Sequence, residues 1–330
     1  MYTEDDLTSA IQAGILTGET AAAFRAHVVQ LKSTPAIDEE HFRLVTGFND
    51  IFVVIACALL LVSVAWIGAS VATWIGPLAA AGAAWALTEF FVRKRRMALP
   101  AIVLLLAFVG CVYAAAGLAL EQRESQFVIA TALAAGAAWL HWVRFRVPIT
   151  VAAGAAAVTG FAIALLLMAV PQAANWVSAI AFVAGIAVFA LAMRWDMADR
   201  SRETRKSDVA FWLHLLAAPL IVRPVFAALG VLDGAADLWQ AAAVVALYVA
   251  IALVSLAIDR RALMVSALIY VLYTFSALLS QYGGVSLAFA VTGVAIGSAL
   301  LLLSAFWHAS RALVVGQLPP AIQGRLAPSR

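Results

Sequence analysis

The chain has 330 residues, of which 65% are apolar and only 12% charged, and its mean hydropathy is +0.99. About a quarter of the residues of a soluble domain are charged, so these values exclude an ordinary soluble fold and point to a membrane bundle. The net charge of +3 conceals an uneven distribution along the chain, and that distribution predicts orientation.

Residues 1–45 predict a small cytoplasmic helical hairpin. Thr3 with Asp6 has capping spacing, Leu7 and Ile11 share a face, and Gly14 supplies a stop. Thr17 then opens a second helix carrying Phe24, Val28 and Leu31 in register, and Pro35 closes it. A hairpin of this size buries too little to form an independent domain, so it is expected to pack on the cytoplasmic face or on a partner. Its acidic residues, and the lack of a basic stretch before an apolar core, argue against a cleaved signal peptide.

Residues 46–307 predict an all-α transmembrane bundle. A spanning helix needs about 20 mostly apolar residues, and ten such runs occur, near 51–68, 71–92, 98–120, 127–143, 147–170, 174–193, 209–230, 238–258, 262–280 and 285–307. Helices are required because the runs are continuous and the bilayer interior offers no partner to an open backbone group. Assigning the loops alternately to the two sides puts every Lys and Arg on one side except Arg123 and Arg223, which lies within the seventh span. By the positive-inside rule both termini are cytoplasmic. Glu121, Glu124, Asp233 and Asp237 fall outside.

Taken in order, the polar groups at membrane depth have ordinary roles until the seventh span. Asn49 and Asp50 stand at the start of the first span, where an acidic cap suits the helix dipole. Glu89 precedes Arg93 by four residues, the spacing of a helical ion pair. His141 is expected at the interface. Gly82-Ala83-Ala84-Trp85 and Gly136-Ala137-Ala138-Trp139 repeat one string, compatible with a duplicated two-helix unit or with coincidence in an alanine-rich chain. The loop from Arg194 to Asp208 pairs Asp196 with Arg200 and Asp199 with Arg202 at helical spacing. It predicts a solvated helical extension dividing the spans six and four.

The seventh span holds His214, Pro219, Arg223 and Pro224. On a straight helix His214 lies about 8 Å from the cytoplasmic end, Arg223 about 10 Å from the outer end, and the two are about 13 Å apart. The prolines remove backbone hydrogen bonds and can expose carbonyls. Arg223 is expected either to snorkel to the outer headgroups or to coordinate an anion in an outward cavity. His214 is either a packing residue or a proton relay. In the last span Gly293 and Gly297 form one GxxxG, suited to close helix packing or to a homodimer. The 308–330 tail, with Pro319, Pro320 and Pro328, is expected to be irregular or interfacial.

The string from Asp208 to Arg223, together with Arg95-Arg96-Met-Ala-Leu-Pro and Asp259-Arg-Arg-Ala-Leu, resembles a family of uncharacterised bacterial polytopic inner-membrane proteins with a short soluble helical N-terminus. The likeness extends over most of the chain. It implies a bacterial inner-membrane location and assigns no functional residue. Ten spans with both ends inside also resemble the drug/metabolite transporters, in topology alone.

Two functions follow as expectations. One is a permease for a small solute, neutral or anionic, with a cavity beside the seventh span formed by Arg223, His214 and Pro219. The other is a non-catalytic scaffold or sensor that docks partners through the hairpin and the 194–208 loop. No catalytic signature is present; Asp233-Gly-Ala-Ala-Asp237 has only the opening of a headgroup-transferase motif. Cys57 and Cys111 sit in apolar runs without metal-ligand spacing, so no metal and no cofactor is expected. The basic loops carry no interleaved aromatic pattern for bases, which leaves the lipid bilayer as the expected partner and rules against nucleic acid.

Overall fold

A computed structural model describes residues 4–24, 48–121, 123–200, 202, 204–230 and 238–281, and beyond these 294, 297–298, 301, 304–324 and 326. Two units result, Met1–Arg43 and Leu44–Arg330. In the first, α1 (Glu4–Gln12) turns at Gly14, whose φ of 71° suits glycine. A second helical stretch begins at residue 18. Thr17 caps it, its Oγ1 accepting from the Thr20 amide at 3.2 Å. Thr3, Val28, Leu31 and Pro35 lie outside the described residues.

The second unit is a bundle. In chain order it contains α2 (Phe48–Ala69), α3 (Ile75–Thr88) continued by a π-helical turn (Glu89–Lys94), α4 (Ala98–Ala119), α5 (Gln126–Phe145) and α6 (Ile149–Ala169). A 3₁₀ turn (Pro171–Trp176) leads into α7 (Val177–Met197), α8 (Arg205–Ala228), α9 (Leu238–Ile258), α10 (Ala262–Gln281), α11 (Trp307–Gly316) and α12 (Pro320–Gln323). No strand occurs among the described residues. Among the described residues eight helices, α2 to α9, are long and apolar enough to cross a membrane. The α10 helix lies where the ninth span was expected, and 285–307 falls largely outside the described residues, as do Gly293 and the aspartates at 233 and 237.

Small residues set the helix crossings. A Cβ on Gly76 would lie 2.9 Å from the Ala69 amide nitrogen, and one on Gly185 2.9 Å from the Leu220 backbone, so α2 meets α3 and α7 meets α8 at backbone distance. The α7–α8 interface is the most extensive in the bundle. Six of the spanning-length helices precede the 194–208 loop, and the two helices that flank it are the most tightly joined. The opening in the bundle lies one helix earlier. On its far side α6 is committed to α5, where a Cβ on Gly160 would stand 3.2 Å from Thr131 Cγ2. Consecutive helices α6 and α7 thus face different neighbours, and between them runs an apolar groove of about 880 Å3.

One end of the bundle is basic. Its hairpin turns use left-handed residues at Arg96, Arg146 and Asp259, positions where glycine is usual, and in each case the next side chain, Met97, Val147 or Arg260, is buried. At the opposite end exposed Trp66, Trp74, Trp176 and Trp239 stand beside the turns, the placement of an interfacial aromatic belt.

Of the two expectations for the tail, irregular or interfacial, the first does not hold for its described residues, which are largely helical. Trp307, Arg311 and Val315 repeat every four residues, so one face of α11 is buried, and Leu326 joins the core with Phe226, Val244 and Val271. Asp50 lies inside the first turn of α2 rather than before it and is buried; Asn49 beside it is exposed.

Candidate functional site

Polar side chains converge at the basic end, on residues the sequence reading assigned to topology. Arg260 follows the left-handed Asp259, and that reversal drives its guanidinium inward, where only 2% of the residue stays exposed. Its Nη2 donates to Asp196 Oδ1 at 2.6 Å and to the carbonyl and hydroxyl of Ser207 at 3.2 and 3.1 Å. Asp196 Oδ2 accepts from His214 Nε2 at 2.9 Å. A carboxylate only accepts, so Nε2 carries the hydrogen, and the buried Nδ1 has no partner among the described residues.

A second carboxylate extends the cluster. Asp259 Oδ2 accepts from Arg202 at 2.8 Å, Asp259 Oδ1 accepts from the Trp307 indole at 2.8 Å, and Arg311 lies 3.6 Å away. Arg202 also donates to the carbonyls of Ile258 and Asp259 at 3.1 and 3.2 Å. Burial, and the like charge of Arg260, pull the Arg202 guanidinium below its ordinary value, while an arginine stays charged at any working pH. Asp199 accepts from both the amide and the hydroxyl of Thr204, which caps α8. These contacts fasten the end of α7, the start of α8, the α9–α10 turn and α11.

The continuous solvated helix expected over 194–208 is interrupted: residues 194–197 end α7 and 205–208 begin α8. Helix α7 ends at Met197, so Asp196 and Asp199 lose helical spacing to Arg200 and Arg202. Buried His214 and Arg260 hold Asp196 instead, and Thr204 holds Asp199. Arg200 donates to the Leu326 carbonyl at 3.0 Å.

His214 and Arg223 are not brought together. His214 is fully buried against Phe189 and Asp196. Arg223 and Pro219 are exposed on the outside of α8, and Arg223 makes no ion pair with another described residue. A cleft of about 540 Å3 does lie beside α8 near Arg223, but Phe182, Ala179, Pro224, Val225 and Ala228 line it and Arg223 does not.

Two further polar groups belong to the other helices. Glu89 pairs with Arg93 at 3.3 Å as expected, and Arg144 adds a fork of 2.7 and 3.1 Å that ties α3 to α5. His141, expected at the interface, is sealed inside. Its Nδ1 lies 3.2 Å from Thr150 Oγ1, and Trp85, Phe108 and Phe145 surround its ring. The repeated Gly-Ala-Ala-Trp strings part company here. Trp85 joins this aromatic cluster while Trp139 is 67% exposed, so the two copies do different structural work.

No group of His, Cys, Asp and Glu suited to a metal ion occurs among the described residues. No family model matches the chain, and no match was found among curated proteins or solved structures. What the fold and site define is a class, a polytopic α-helical bundle of membrane-spanning length whose basic groups are gathered at one end, where buried Arg202 and Arg260 are paired with Asp259 and Asp196.

Proposed function

We propose that the chain is a ten-span protein of a bacterial inner membrane, with both termini cytoplasmic, and that it serves there as a non-catalytic scaffold or sensor working from its basic end. The observation that carries this reading is the state of His214. A relay or ligand residue needs access to solute, whereas His214 is held by Asp196, which is itself held by Arg260. The surrounding network is built to fix helix ends, and buried ion networks of this kind favour one arrangement over others. The basic end would face anionic headgroups and cytoplasmic partners, and residues 1–45 would supply a separate docking element. Purified protein in liposomes tests the role. The expected result is no flux of phosphate, sulfate or small carboxylates above lipid background, with partner capture from cytosol lost on deleting residues 1–45. Saturable flux abolished by Arg223→Lys would overturn it.

A permease for a small solute, neutral or anionic, is the second reading. It draws on the cleft of about 540 Å3 beside α8, with Pro224 in its wall. The apolar lining suits a solute with a substantial hydrocarbon part, and Arg223 would stand at its rim.

A further inference from the structure

The groove between α6 and α7 spans most of the bilayer. On α6 it runs from Val151 to Leu166 and on α7 from Ala179 to Leu191, which at about 1.5 Å per residue is a length of about 20 Å. Its walls are aliphatic except for Thr159, and several positions are alanine, so the space is left by small side chains on two helices that pack elsewhere. Hydrocarbon must fill such a slot, because water gains no hydrogen bonds there.

The two ends of the groove differ in charge. At the basic end Arg146 ends the α5–α6 turn and Arg194 stands three residues beyond Leu191, both exposed. The Arg146 guanidinium lies 5.6 Å from the centre of the Trp142 ring. Trp142 and Trp195 both pack against the cluster of Ala152, Val188 and Ala192 that closes the groove at this end. Neither arginine has an ion pair among the described residues, in contrast to Arg144, Arg202 and Arg260 close by. At the opposite end the 167–178 segment contains no basic residue.

We propose that this groove binds one anionic phospholipid, with acyl chain along α6 and α7 and phosphate between Arg146 and Arg194. Charge selects the leaflet and the headgroup, since each arginine near the membrane surface attracts an anionic lipid, while the alanine walls take the chain. The proposal rests on the chain being membrane-embedded and is independent of the scaffold role.

Native mass spectrometry of the full chain, released from detergent after supplying phosphatidylglycerol and phosphatidylethanolamine in equal amounts, tests it. The expected result is one retained phosphatidylglycerol in preference to phosphatidylethanolamine. Retention should weaken about fivefold for each arginine removed in Arg146→Gly and Arg194→Gln, the loss of about one surface charge's attraction. Arg146→Gly also relieves the left-handed backbone, so it should not fail through misfolding. The double lysine variant should keep binding, and Ala187→Phe, which fills the groove from an exposed position, should lose it. Equal retention of both lipids, or indifference to both the arginine and Ala187 variants, would overturn the proposal. So would a dimer peak that only Ala187→Phe removes, since the groove would then seat a second copy. A chain that fails to sediment with membranes refutes the embedded reading itself and is recognised before any lipid is added.

Discussion

Asp196 and Asp259 are the residues on which the basic end depends. Each carboxylate is shared between segments far apart in sequence: Asp196 between α8 and the α9–α10 turn, Asp259 between Arg202, Trp307 and Arg311. Removing one partner leaves a charge buried without compensation, which costs about 3–5 kcal/mol. Arg260→Ala is therefore expected to lower the melting temperature in detergent strongly. The paired loss in Asp196→Ala/Arg260→Ala should be well short of the sum of the two single losses. Additive effects in that double-mutant cycle would show that the two side chains do not share a network. Arg223 is the contrast: exposed and unpaired among described residues, it should tolerate Arg223→Gln within about 0.5 kcal/mol, again read as a thermal shift.

Elements are placed by glycine more than by hydrophobicity, because in an apolar chain every face is greasy and only close approach distinguishes one partner from another. Gly185 brings α7 onto α8, and a side chain there would press on Leu220 and Ile221. Gly185→Val should cost about 1–3 kcal/mol by overpacking, and it should raise proteolysis of the 198–204 turn, since the Asp196–His214 contact depends on that crossing. Gly82, where an added Cβ meets nothing within 4 Å, is the control: Gly82→Ala should be neutral or slightly stabilising. The identical strings around Trp85 and Trp139 carry a similar lesson. Sequence identity suggested a duplicated unit, yet the neighbours of the two indoles differ, because His141 and Phe145 lie across from only one of them.

For the whole molecule, the basic and acidic ends predict sidedness. With Cys57 and Cys111 replaced, Glu124→Cys should react with a membrane-impermeant maleimide in intact spheroplasts, and Lys206→Cys only after the membrane is opened. The reverse pattern would invert the proposed topology. This level was the most legible in the sequence, since length and apolarity report lipid contact directly and each short loop retains its charge. Starts and ends of α4, α6, α9 and α10 agree with the expected runs to within a few residues. Neither the burial of His141 nor the ordered, half-buried helix in the tail was legible, for one reason. Distance from a span end gives depth, whereas burial is decided by neighbours on other helices.

Sequence alone determined that this chain is helical, membrane-length and charged at one end, because those properties are local sums over the residues of each segment. It also singled out α8 as the unusual helix. Only the tertiary structure decided that His214 answers to Asp196 and Arg260 rather than to Arg223, that α6 and α7 part to leave a groove, and that Arg146 and Arg194 have no ion pair among the described residues. Those outcomes depend on which helices approach closely enough to share atoms, and spacing along one helix carries no information about the side chain that a second helix places across from it.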